Sequence, residues 1–195
     1  MSYLDPPLRD FLAVVASREP APGGGCVAAV TVAMAAGLVA MAARLSPDLP
    51  GSQRVVSDAE RLQRRSAGLA DADAQVYAEV MATLSATRAS EPDERHDRRR
   101  AAFEAAALVP LELAELGADT ARLAARLVED GNSNLRGDAA TAAYVAEAAV
   151  RSAVALVRIN VASGECDPGL LTRAARCTAA AQHAADGVRA QLAKT

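Results

Sequence analysis

Apolar positions along this chain recur at spacings of three and four, and nowhere do β-branched residues alternate with polar ones over a strand length. Every periodic stretch therefore predicts helix. The first covers about residues 7–18, with Leu8, Phe11, Leu12 and Val15 on one face. The second runs from about Gly25 to Leu45 and has no polar face, since Cys26–Ala43 is uncharged throughout. A helix that is apolar all round belongs in an interior, so it is expected at the centre with the others around it. The third covers about residues 52–87 and sets Leu69, Val76, Val80 and Leu84 against an Arg-rich outer face.

Capping residues divide the rest. Ser90 reads as an N-cap, with Pro92 in the first turn and Asp93 three positions on. A fourth helix then extends to about Asp130, kinked by Pro110 and ended by Gly131. The fifth covers about residues 138–163 and closes on Gly164; Asp167 caps the sixth, with Pro168 in its first position. No repeat and no change in composition marks a boundary. Six helices and short loops predict one all-α multihelical bundle over residues 1–195.

Composition narrows the function classes. A net charge of −3 gives no basic field for nucleic acid, and five aromatic residues without tryptophan give no stacking surface for bases. Cys26, Cys166 and Cys177 are odd in number and lack ligand spacing, and His96 and His183 stand far apart, so neither a disulfide framework nor a metal site is expected. Met1–Asp5 has no basic segment leading into an apolar one, which with reduced thiols predicts a cytoplasmic protein. Cys26–Ala43 is long enough to span a membrane. Its alanine content, Gly37, Thr31 and the want of a second span predict a helix packed in a soluble bundle instead.

Four segments could carry chemistry. Pro20-Ala21-Pro22-Gly23-Gly24-Gly25-Cys26 stops one element and opens the apolar helix, whose free N–H groups favour an anion or carbonyl. Asp71-Ala72-Asp73-Ala74-Gln75-Val76-Tyr77, followed by Val80-Met81, puts Asp73 and Tyr77 on one helix face and Asp71 on another. Asp73 on an apolar face is costly unless paired or functional, and otherwise sits solvated at the core margin. Gly131-Asn132-Ser133-Asn134-Leu135-Arg136-Gly137-Asp138 offers two amide side chains and a carboxylate between two long helices, and the same residues would also serve as helix punctuation. Arg158-Ile159-Asn160 lies near the end of the fifth helix, about 33 Å from Asp138 by helical rise. A single small reacting centre within one subunit cannot touch both.

These segments, in this order and covering about Phe11 to Val161, resemble those of the formiminotetrahydrofolate cyclodeaminase and methenyltetrahydrofolate cyclohydrolase family: PTPGGGS-V-A-A, D-E-D-A-x-A-F, G-N-x-N-x-x-S-D-A and N-V-R/K-I-N. The chain departs from those patterns at Ala21, Cys26, Gly137 and Leu156, lacks the lysine-rich stretch after the second helix, and carries Arg88 where a lysine is usual. The resemblance implies hydrolysis of 5,10-methenyltetrahydrofolate to 10-formyltetrahydrofolate, with no cofactor beyond that substrate and no metal. The alternatives are the cyclodeaminase reaction and a non-catalytic helical homodimer that keeps the fold. Cyclohydrolase is favoured because no formiminotransferase domain is attached. The resemblance also implies a homodimer, catalytic roles for Asp73 and Asp138, and substrate binding by Gly23, Gly24, Gly25, Arg88, Asn132, Asn134, Arg158 and Asn160.

Overall fold

The computed structural model describes residues 2–87 and 91–194, and every regular element among them is helical. The helices are α1 (Leu8–Val15), α2 (Gly24–Arg44), α3 (Ser52–Ala86), α4 (Pro92–Asp130), α5 (Arg136–Gly164) and α6 (Gly169–Leu192), with one 3-10 turn at Ser133–Leu135. α2 packs on α3, α4 and α5; α4 also packs on α3, α5 and α6, and α6 on α5. Alanine supplies most of the buried apolar positions, so backbones approach closely. At Gly117 on α4 an added Cβ would lie 2.6 Å from Val150 of α5 and 3.4 Å from Val32 of α2, which makes glycine the residue that lets these three helices meet.

α2 buries Cys26, Ala29, Val32, Ala35, Ala36 and Val39 completely. The chain's own helices cover one side of it. A second stripe, Val27, Thr31, Met34, Leu38, Met41 and Leu45, alternates spacings of four and three; Val27, Met34 and Leu45 are exposed and the other three half-buried. Length and composition alone would let two segments cross a membrane, Gly24–Arg44 with a mean hydropathy of 2.2 and Ser133–Gly164 with 1.3. The second such segment was not expected. In the bundle 61% of the first window and 50% of the second are buried against protein.

Boundaries differ from expectation where local chemistry intervenes. α1 stops at Val15, short of residue 18, and buries only Phe11 of its apolar face; Leu8 and Leu12 are exposed. Pro20 disfavours helical geometry just before it, and Ser17 Oγ accepts the Glu19 N–H at 3.1 Å instead. α4 opens at Pro92 after Glu91, while Ser90 and Arg88 lie outside the described residues. Gly131 does not take the left-handed closing conformation: its backbone is extended, φ −83° and ψ −173°. A Cβ there would stand 2.5 Å from the Leu127 carbonyl oxygen. α5 begins at Arg136, so Asp138 lies in its first turn and not at its cap. Its left-handed closing residue is Glu165, φ 52°. At α6, Asp167 Oδ1 accepts the Gly169 N–H at 2.8 Å.

Candidate active site

The Pro-Gly segment, the middle of α3, and facing stretches of α4 and α5 enclose a cleft of about 410 Å³. Pro20, Ala21 and Gly23–Gly25 form one wall, and Asp73, Tyr77 and Met81 come from α3. Phe103, Ala106 and Val109 of α4 and Leu156, Ile159 and Asn160 of α5 complete it. Most of this lining is apolar. Leu156, where the family pattern has an asparagine, adds to that character.

Asp73 sits against the first turn of α2. An added Cβ at Gly25 would fall 1.9 Å from Asp73 Oδ1 and 2.2 Å from its Cγ, so the carboxylate fills the space a side chain would need. The third glycine of the run is there for close approach. The backbone N–H of Cys26 and its thiol both hydrogen-bond the carboxylate, the sulfur lying 3.7 Å from Oδ2. The net effect on Asp73 is a pKa above the ordinary carboxylate value. Burial drives it up, and the two Cys26 hydrogen bonds oppose the rise without cancelling it. Such a group is a stronger base than a free carboxylate and stands beside an apolar cleft.

Cys26 itself is fully buried and its thiol donates to the Ala70 carbonyl at 2.9 Å. Burial first, then the negative charge of Asp73, pushes the thiol up to about 11. The lowered pKa that a helix N-terminus can confer on a cysteine is overridden here. Asp71 points away from Asp73 and accepts the Tyr3 N–H at 2.8 Å, fastening the N-terminal segment to α3. Asn160 Nδ2 donates to the Ala106 carbonyl at 2.8 Å, which ties the amide to α4 beside the cleft.

The remaining motif residues stand elsewhere. The Asn132 N–H donates to Ser46 Oγ at 2.9 Å, its Nδ2 to the Leu45 carbonyl at 2.9 Å, and its Oδ1 accepts the Asn134 N–H at 3.0 Å. Asn132 thus ties the loop to the C-terminal end of α2. Asp138 is half-buried one helix length from the cleft. Arg158 is exposed and lines no part of it. The cleft therefore gathers Gly23, Gly24, Gly25, Asp73 and Asn160, and leaves Asn132, Asn134 and Asp138 at the opposite end of α5. The sequence reading missed Phe103 and Val109, whose only signal was an apolar position on a long amphipathic helix. Among the described residues no three His, Cys, Asp or Glu side chains converge as a metal site would need.

Comparison with known proteins gives concordant matches. The family model for formiminotransferase-cyclodeaminase matches residues 7–176. Rat formimidoyltransferase-cyclodeaminase is 32% identical over 171 residues, 82% of this chain but 31% of its own length. The chain thus spans about a third of that curated relative. The methenyltetrahydrofolate cyclohydrolase of Methylorubrum extorquens is 30% identical over 165 residues, 78% of each chain. Among solved structures, formiminotetrahydrofolate cyclodeaminase from Thermotoga maritima superposes with a TM-score of 0.86 at 27% identity, covering 97% of both chains.

Proposed function

Because the chain belongs to the formiminotransferase-cyclodeaminase family, we propose that it is a folate one-carbon enzyme that hydrolyses 5,10-methenyltetrahydrofolate to 10-formyltetrahydrofolate. The observation that carries the reading is Asp73, a partly desolvated carboxylate held over the α2 N-terminus by Gly25 and facing an apolar cleft. In this reading water adds to the electrophilic methenyl carbon, and Asp73 accepts one of its protons. The bond from that carbon to N5 then breaks, Asp73 returns its proton to N5, and the second water proton leaves to solvent as the formyl carbonyl forms. Asp73 in its charged form also stabilises the cationic substrate. The Gly23–Gly25 backbone holds a carbonyl or anionic group, and Asn160 offers its amide oxygen to the pterin edge.

The reading includes a homodimer. The open α2 stripe has the seam spacing of a helix that packs on another helix, and two copies of α2 related by a two-fold axis satisfy it. α2 carries Gly25 at one end and, through Leu45 and Ser46, the Asn132 loop at the other. Antiparallel pairing would set the partner subunit's Asn132, Asn134 and Asp138 beside the Asp73 cleft. That arrangement unites motif residues that one chain holds apart; it gives Asp138 the catalytic role and Asn134 the substrate-orienting role the resemblance implies, with Asn132 bracing the loop that carries them.

The test is loss of methenyltetrahydrofolate absorbance with purified protein against a heat-inactivated control, repeated with Asp73→Asn. Catalysed decay that this substitution removes supports the assignment; decay no faster than the control refutes it. The second reading, cyclisation of 5-formiminotetrahydrofolate with release of ammonia, is favoured by the close superposition on the Thermotoga maritima protein. Ammonia release from that substrate would shift the assignment to it.

A further inference from the structure

A second cavity, of about 540 Å³, adjoins the cleft, and Phe103 lines both. Its other walls are Leu84 and Thr87 from the end of α3, Arg95, His96 and Arg99 from the start of α4, and Ser163 from α5. Among the described residues no acidic side chain lines it. Arg95 and Arg99 form no ion pair among the described residues, whereas Arg98, between them in sequence, is held by Glu94 at 2.6 Å. Arg99 instead lies over the Phe103 ring, 5.9 Å from its centroid.

Two physical costs are concentrated at this place. Arg95 and Arg99 are four apart on one helix, so their like charges face each other on the same side. Arg95 also lies at the end of the first turn of α4, toward the positive end of its dipole, where cations are disfavoured. A stretch that breaks two local rules without an internal partner is where a ligand is to be sought. An anion between the two guanidinium groups removes both costs at once, and arginine forks match a carboxylate in pairs of parallel hydrogen bonds.

We propose that this cavity binds the carboxylates at the glutamate end of the folate ligand whose pterin occupies the Asp73 cleft. The proposal rests on the folate reading above. The ligand would run past Phe103, with its aromatic middle against that ring, and end between Arg95 and Arg99, with the Ser163 hydroxyl as a further donor. α4 thereby supplies the charge recognition that the missing lysine stretch after α2 does not.

The experiment compares kcat/KM for 5,10-methenyltetrahydrofolate and for 5,10-methenyltetrahydropteroate, which lacks the glutamate. The wild-type chain is expected to favour the glutamate-bearing substrate by about tenfold or more, one charge-assisted contact being worth roughly that much. In Arg95→Ala/Arg99→Ala the ratio should fall to within about threefold of one, mainly through KM. Arg95→Lys/Arg99→Lys should restore part of it, and Arg98→Ala should keep the wild-type ratio. A double alanine variant that retains the preference overturns the proposal and leaves the folate reading standing, as does a wild-type chain with no preference. Turnover of neither substrate would overturn both.

Discussion

The two ends of α5 carry equally recognisable motifs and use them in opposite ways. At the Asn160 end, residues far apart in sequence converge on open space: Gly25 gives up its side chain to Asp73, and Asn160 is braced by a backbone carbonyl beside the cleft. At the Asp138 end, Asn132 spends its backbone N–H and both ends of its side-chain amide on neighbouring protein groups. One end is arranged around a cavity and the other around its own loop. A motif residue that answers only to the fold and one that answers to a ligand cannot be told apart by identity; the difference is whether its polar atoms are already engaged.

Four measurements break or sharpen that contrast. Asp73→Asn should lower turnover by about 10²- to 10⁴-fold, the usual worth of a positioned proton acceptor, and leave the melting temperature unchanged or raised. Stability follows from the direction of the shift. A raised native pKa means the folded chain binds the proton more tightly, so stability is fullest below the ordinary carboxylate value and declines as pH rises through the native one. The asparagine variant should lack that decline in a melting-temperature profile against pH. Unaltered activity would sever the cleft from the chemistry.

Asp138→Asn comes next, with the same loss of turnover expected and the fold intact. If each site joins Asp73 of one copy to the partner subunit's Asp138, an equal mixture of the two inactive variants regains about a quarter of wild-type activity after subunit exchange. Half the dimers are then mixed, and each has one whole site. No recovery after exchange confirmed by mass spectrometry would confine the two ends to separate tasks.

Asn132→Ala should act on stability. Loss of its two side-chain hydrogen bonds is worth about 1–2 kcal/mol, a fall in melting temperature of roughly 2–8 °C for a chain of this size. A loss confined to kcat would instead place its amide at a ligand.

The smallest effect belongs to Cys26. Its thiol, raised to about 11, should resist alkylation in the folded chain while the unfolded chain reacts readily. Stability should decline between the ordinary thiol value near 9 and about 11, because the native state keeps the proton that the unfolded state loses. Cys26→Ala should flatten that part of the profile. Rapid labelling under native conditions would mean the α2 N-terminus opens.

Much of the fold was legible because alanine-rich helical periodicity leaves few alternatives, and the end points of α2, α3 and α4 lie within two residues of the pattern. α1 was overread, since periodicity says that a face is apolar and not that anything covers it. The onset of α5 was misplaced because the 3-10 turn begins the winding before Asp138 can cap it. At the site, the glycine run and Asp73 were read separately; that one fills the other's missing side chain exists only in three dimensions. Arg95 and Arg99 carried no signal in the sequence, as the pairing of Arg98 and the isolation of its neighbours leave no trace in spacing.

The prevalence of alanine in the interior has a consequence for how this protein tolerates change. In most cores the damaging substitution is truncation, which leaves a void. Here the majority of interior positions are already at the size to which truncation leads, and a systematic replacement by alanine would pass over them in silence. Their sensitivity lies in enlargement. A single added methylene between helices in backbone-close contact forces rigid elements apart, at about 1–3 kcal/mol for each overpacked position. At these alanine positions sequence drift is therefore constrained more tightly from above in volume than from below.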